Sequence, residues 1–153
     1  MREPNLADET SLNRLGFSLI IGLCLQYVLG ISTMLFVEIP HNLPRGTLWE
    51  FAWKQTPLAL HMILGLFLLL GSTSLLVRSL KIKSQKWIVA SILGLVTMLI
   101  TSLSGSLFVD RKSDLYSYIM GVGFIITLFS YVWGIFASKS ELLNPSSPLS
   151  FKH

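Results

Sequence analysis

Four uncharged apolar runs dominate this chain: Leu15–Val37, Pro57–Val77, Trp87–Val109 and Leu115–Ala137. Each holds 21 to 23 residues and no Lys, Arg, Asp or Glu. About 20 such residues cross the hydrocarbon core of a bilayer as one helix, and isolated glycines are tolerated within it. A buried helix in a water-soluble protein rarely runs so far without a charge. Composition points the same way, because only 13% of the 153 residues are charged and 52% are apolar. A soluble domain carries about 25% charge, so this chain cannot clothe a globule in polar surface. Ordinary soluble enzymes and disordered chains are excluded. The sequence predicts an all-α integral membrane protein, a multi-pass up-down bundle of four transmembrane helices in the cell membrane.

The first 14 residues are polar and mixed in charge, and the first run is too long for a signal-peptide core. Residues 1–14 are therefore expected as an N-terminal segment, 15–137 as the transmembrane domain and 138–153 as a flexible tail. Basic residues set the orientation. Arg2, Arg14, Arg78, Lys81, Lys83, Lys86, Lys139 and Lys152 fall on one side, against Arg45, Lys54, Arg111 and Lys112 on the other. Both termini are expected in the cytoplasm. The net charge of +4 then reflects membrane orientation, and no nucleic-acid partner is expected. A single cysteine, Cys24, excludes an intrachain disulfide and any Cys-x-x-Cys redox or zinc pair.

The first loop opens with turn signals at Pro40 and at Pro44-Arg45-Gly46. It then reads Thr47-Leu48-Trp49-Glu50-Phe51-Ala52-Trp53-Lys54. Trp49 and Trp53 are four apart and share a helix face, and such rings favour the membrane–water interface. Residues 47–54 are expected as a short helix lying on the outer surface. Within the spans, small residues mark helix contacts: Ala90, Gly94, Thr97, Thr101 and Gly105 in the third, Gly65 and Gly71 in the second, Ser117 and Gly121 in the fourth. The third-span stripe could instead face a second copy of the chain, giving a homodimer.

Polar groups inside the spans are few. The spans hold no acid of the kind that proton-coupled carriers use, and no nucleophile or paired-carboxylate motif is apparent. Asp110 and Asp114 flank Arg111 and Lys112 and read as a solvated charge cluster. His61 is the one ionisable imidazole in a span, and such a residue is a functional candidate by default. Counting 1.5 Å per residue from the outer ends puts Met34, His61, Ser104, Gly105 and Met120 in one layer. A His and a Met facing each other could ligate haem iron, with Gly65, Gly105, Gly121 and Gly123 leaving room for a flat ring. The plain alternative is a neutral His61 bonded to Ser104 and a Met120 that only packs. His41 lies in the first loop.

Leu58-Ala59-Leu60-His61-Met62-Ile63-Leu64-Gly65 resembles the second-helix segment of one four-helix half of haem A synthase. Thr101-Ser102-Leu103-Ser104-Gly105 is similar to the end of that half's third helix. The resemblance implies an outer-side haem site. That family carries an acid three residues before its second-helix His, where Leu58 stands here, and Met120 or a neighbour takes the place of its fourth-helix His. The run Leu25–Gly30 (Leu-Gln-x-x-Leu-Gly) and Leu60-His61 with Gly65 are also similar to small four-span prokaryotic membrane proteins of no assigned activity.

Three functions compete. The favoured one is an accessory or structural subunit of a larger membrane complex, without enzyme activity. The second is a b-type haem electron-transfer bundle, with His61 and Met120 as iron ligands and Gly65 and Gly105 beside the haem b ring. The third is binding of a quinone or prenyl lipid under the Trp49–Trp53 helix, with His61 donating to a carbonyl.

Overall fold

The computed structural model describes residues 6–38, 47–111 and 113–143. It contains five helices: α1 (Leu6–Phe36), α2 (Leu48–Lys54), α3 (Thr56–Ile82), α4 (Gln85–Arg111) and α5 (Asp114–Leu143). The four long helices cover the four apolar runs except for Val37, which follows the end of α1. Ala7–Phe36, Thr56–Ile82, Gln85–Phe108 and Asp114–Lys139 are each long and apolar enough to span a membrane. The protein is a small multi-pass membrane protein built as a four-helix bundle.

The helices run past the expected limits at both ends of the chain. α1 begins at Leu6, within the stretch read as a polar N-terminal segment, and α5 continues to Leu143, within the expected tail. The two extensions support each other. Leu12 is fully buried, and Ser138 Oγ donates to Glu9 Oε2 at 2.5 Å. His41, Pro40 and Pro44 of the first loop, Lys112, and residues 144–153 with Pro145 and Pro148 lie outside the described residues.

The helices form a closed ring in the order α1, α3, α4, α5, with α5 returning to α1. Neighbours run antiparallel, as the seams show directly. Along α1 and α3, Gly22 faces Leu68, Leu19 faces Gly71, Gln26 faces Gly65 and His61 faces Gly30. Numbers rise on one helix as they fall on the other. Along α4 and α5, Gly94 faces Tyr131, Thr101 faces Gly123 and Met120 faces Gly105. Each of these glycines accepts a larger side chain from the opposing helix into the space a Cβ would fill. The third-span stripe thus packs against α5. Gly121, expected at a contact, has nothing within 4 Å, and Gly123 is the residue that meets α4.

The axis of the bundle is filled by two aromatic residues, Trp87 near one end and Tyr131 deeper in, both fully buried. The Trp87 ring lies between Gly16 of α1 and Gly134 of α5. Tyr131 of α5 crosses the other diagonal, its hydroxyl 2.6 Å from Ser72 Oγ of α3. Leu12, Leu19, Leu23, Leu68, Leu75 and Met98 pack around them. Every seam also carries a polar clasp: Gln26 with His61 for α1 and α3, Ser79 with Ser91 at 3.1 Å for α3 and α4, Thr97 with Thr127 at 2.8 Å for α4 and α5, and Ser138 with Glu9 for α5 and α1. Such bonds between membrane helices average about 0.6 kcal/mol and reach about 1.7 kcal/mol.

Two residues, Lys83 and Ser84, link α3 to α4. Lys83 N–H donates to Leu80 O and Ser84 N–H to Ser79 O, the paired bonds of a Schellman turn. That turn needs a left-handed residue, and Lys83 sits at φ 61°, where a side chain costs about 1 kcal/mol. Lys83→Gly should therefore raise the unfolding midpoint in detergent, read by circular dichroism. No change would mean that the turn carries no strain. The seams make a sharper test. A methyl on Gly94 would meet the Tyr131 ring at 2.5 Å, so Gly94→Ala should destabilise by about 1–3 kcal/mol, the range for overpacking. Gly121→Ala should be neutral or stabilise by up to about 1 kcal/mol, since alanine is the better helix former. Equal melting of the two variants would remove the glycine seats as the organising contact.

Candidate functional site

His61 lies five residues after Thr56, the first residue of α3, and its partner comes from α1. Gln26 Nε2 donates to the His61 backbone oxygen at 3.0 Å and lies 3.2 Å from His61 Nε2. An amide nitrogen only donates. His61 Nε2 must therefore accept, which assigns the ring proton to Nδ1 from the bonding network. Two buried atoms of this pair then have no hydrogen-bond partner among the described residues: His61 Nδ1, a donor, and Gln26 Oε1, an acceptor. Leaving such a group unpaired costs about 1–3 kcal/mol. The seam thus holds one donor and one acceptor of complementary sense.

The partner of His61 is not Ser104 or another hydroxyl of α4 but an amide on α1. A sequence signal for this pair exists. Gln26 is followed four residues later by Gly30, and His61 four residues later by Gly65. Four residues is one helical turn on the same face. In an antiparallel pair each polar side chain then lies on the other helix's glycine, as found: Gly65 beside Gln26 Nε2 and Gly30 beside the His61 ring.

Met120 stands at a different seam. Its sulfur would lie 3.3 Å from a Cβ on Gly105, between α4 and α5. Three of the four glycines expected to make room for a haem ring are thus used otherwise, Gly65 by Gln26, Gly105 by Met120 and Gly123 by Thr101, while Gly121 has nothing within 4 Å. Axial ligation needs a ring nitrogen with its lone pair aimed at iron. His61 Nε2 faces Gln26, and Nδ1 lies 3.7 Å from where a Cβ on Gly30 would be. The residues as arranged do not fit an axial His–Met pair, and no chemistry follows through haem here.

At the same end of the bundle α2 packs against α3 through buried Ala52. Trp49 and Trp53 remain 57% exposed, on the shared face their spacing predicts. Lys54 Nζ bonds Glu50 Oε1 at 2.7 Å, and this bond, with the lysine charge, holds the Glu50 carboxyl below its usual range. Arg111 Nη1 donates to the Tyr116 hydroxyl at 3.1 Å, so one cation of the expected charge cluster is turned to a phenol. On the outside of the α4–α5 pair a cleft of about 320 Å³ is walled by Val89, Leu93, Ile125, Ile126, Phe129 and Trp133.

Comparison with known proteins gave no matching family pattern, curated protein or solved structure. The expected likeness to a haem A synthase half therefore gains no support from them.

The Gln26–His61 pair generates its own test. Gln26→Leu leaves His61 Nε2 without its donor and should lower stability by about 1–2 kcal/mol in a detergent melt. Removing the ring as well, in Gln26→Leu with His61→Leu, should recover part of that loss, because two apolar partners leave less unpaired. A double variant that melts below the single one would show that the pair does not act as a unit.

Proposed function

We propose that the chain is an accessory subunit of a larger membrane assembly, without catalytic activity of its own. The supporting observation is the filled interior. Trp87 and Tyr131 close both diagonals of the bundle, and each seam is clasped by its own hydroxyl, carboxylate or amide pair. Such a body is suited to holding neighbours in register. In this reading the bundle is up-down, with both termini in the cytoplasm by the balance of basic residues. Blue-native electrophoresis of mildly solubilised native membranes tests the role. The chain should migrate within one defined assembly, and that assembly should shrink or vanish when the gene is removed and return when it is restored. A chain that migrates alone, with every other assembly unchanged by its loss, would overturn the proposal.

A second reading is favoured by the two unpaired atoms at the outer seam. A lipid-soluble carbonyl compound such as a quinone could accept from His61 Nδ1–H, and a hydroxyl on it could donate to Gln26 Oε1. Organic extraction of the purified chain separates the readings. A quinone retained in wild type and reduced about fivefold in His61→Leu, the effect of losing one hydrogen bond of about 1 kcal/mol, would carry the second. Equal traces in both proteins would remove it.

A further inference from the structure

A cleft of about 600 Å³ opens between α1 and α3 at the end of the bundle opposite His61. Its lining includes Thr10, Ser11, Arg14 and Ser18 from α1 and Arg78 from α3. Arg14 and Arg78 are both exposed. Neither guanidinium has a hydrogen bond or ion pair among the described residues. The nearby acid Glu9 does not line the cleft, because its carboxylate accepts from Ser138 of α5. Asp8 is exposed and also lies outside the lining. Two unpaired cations from two helices therefore converge on a pocket edged with hydroxyls.

Their depth decides what can fill it. Arg14 stands about 22 residues before the end of α1 at Phe36, and Arg78 about 22 residues after the start of α3 at Thr56. At 1.5 Å per residue each distance is roughly 33 Å, close to the roughly 30 Å thickness of a hydrocarbon core. The α1–α3 register of glycines against side chains places the two arginines at the same level. Both guanidinium groups thus sit where one leaflet carries its phosphates. Past the exposed Ser18 and Ser74, one turn from the arginines, the surface leading towards the membrane centre is apolar. On α1, Arg14, Ser18, Ile21 and Leu25 recur at spacings of three and four and so share a face. On α3, Leu70 and Phe67 lie two and three turns from Arg78. Ile21, Leu25, Phe67 and Leu70 are all exposed.

We infer that the Arg14–Arg78 cleft binds the phosphodiester headgroup of an anionic phospholipid, with the acyl chains lying along Ile21 and Leu25 of α1 and along Phe67 and Leu70 of α3. Arginine suits the head because its planar fork bonds two phosphate oxygens at once. The apolar stripe suits the tail, and a free phosphate would leave it unused. By the balance of basic residues the leaflet concerned is the cytoplasmic one, where anionic lipids attract basic residues.

Native mass spectrometry of the delipidated full chain in detergent tests this, with phosphatidylglycerol, phosphatidylcholine and inorganic phosphate as probes. Wild type should bind phosphatidylglycerol at least about tenfold more tightly than phosphatidylcholine. The preference should vanish in Arg14→Gln with Arg78→Gln and survive in Lys83→Gln with Lys139→Gln, which removes the same charge outside the cleft. Circular dichroism melts confirm that each variant is folded, and Arg14→Lys with Arg78→Lys, which keeps the charge, should retain an intermediate preference. Equal binding of the two lipids by wild type would overturn the inference. So would an equal loss in the lysine control, which would mean net charge alone. Competition by inorganic phosphate at lipid concentrations would show an anion site that does not need a lipid.

Discussion

Lipid tails are as apolar as leucine, so helices in a bilayer gain little by hiding apolar surface from it. Whatever holds this chain together must come from contacts that lipid cannot match. The structure uses one device repeatedly: a glycine on one helix takes a larger side chain from the next. Gly123 with Thr101, Gly16 with Trp87, Gly94 with Tyr131 and Gly22 with Leu68 are the closest of these. Each brings two backbones together and multiplies dispersion contacts, which are small singly and large in sum. The polar clasps act within that frame. At roughly 0.6 kcal/mol apiece they are weak beside a full seam, but they fix the register in which the glycines meet their partners.

The fold class could be read from four uncharged runs alone, because span length is set by bilayer thickness and not by context. The small-residue stripe of the third span was legible for a similar reason: Ala90, Gly94, Thr97, Thr101 and Gly105 repeat at helical spacing. The short helix α2 was announced by Trp49 and Trp53. Other features depend on distant partners. The extension of α1 back to Leu6 was hidden because Asp8 and Glu9 look like an end. Glu9 is held by Ser138, a residue 129 positions away, and no local pattern reports that. Gly121 and Gly123 show how narrow the margin is. Two residues turn a helix by roughly 200°, so spacing counted from Ser117 selected the face opposite the true contact. Trp87 opens its run, where such rings usually mark the interface, yet it is fully buried because Gly16 and Gly134 leave a slot for it.

The candidate site followed the same logic. His61 stands out because a lone imidazole in a span is rare, and in the structure it pairs with Gln26 across the α1–α3 seam. The sequence offers it a partner on α4, where hydroxyls are plentiful. The reciprocal spacing of Gln26 with Gly30 and His61 with Gly65 pointed to α1, but it becomes informative only once the two helices are known to pair antiparallel. Placing His61 and Met120 at equal depth gave no information on rotation about the helix axes, and rotation is what assigns them to opposite seams of the ring.

The contacts divide by sequence distance in a way that bears on how the chain is made. The glycine-seated seams lie within two hairpins, α1 with α3 and α4 with α5, each complete once its second helix has left the ribosome. The contacts that join the hairpins add one more glycine seat, Trp87 over Gly16, and two hydrogen bonds, Tyr131 on Ser72 and Ser138 on Glu9. Each places an aromatic ring or hydroxyl against the finished face of the other half. Synthesis can thus deliver two preassembled units to the membrane, with Glu9 waiting at the start of the first for a serine translated near the end of the last. Closure of the ring is then the final step of biogenesis, and a truncation anywhere before Ser138 leaves a carboxylate at the membrane edge without its intended mate.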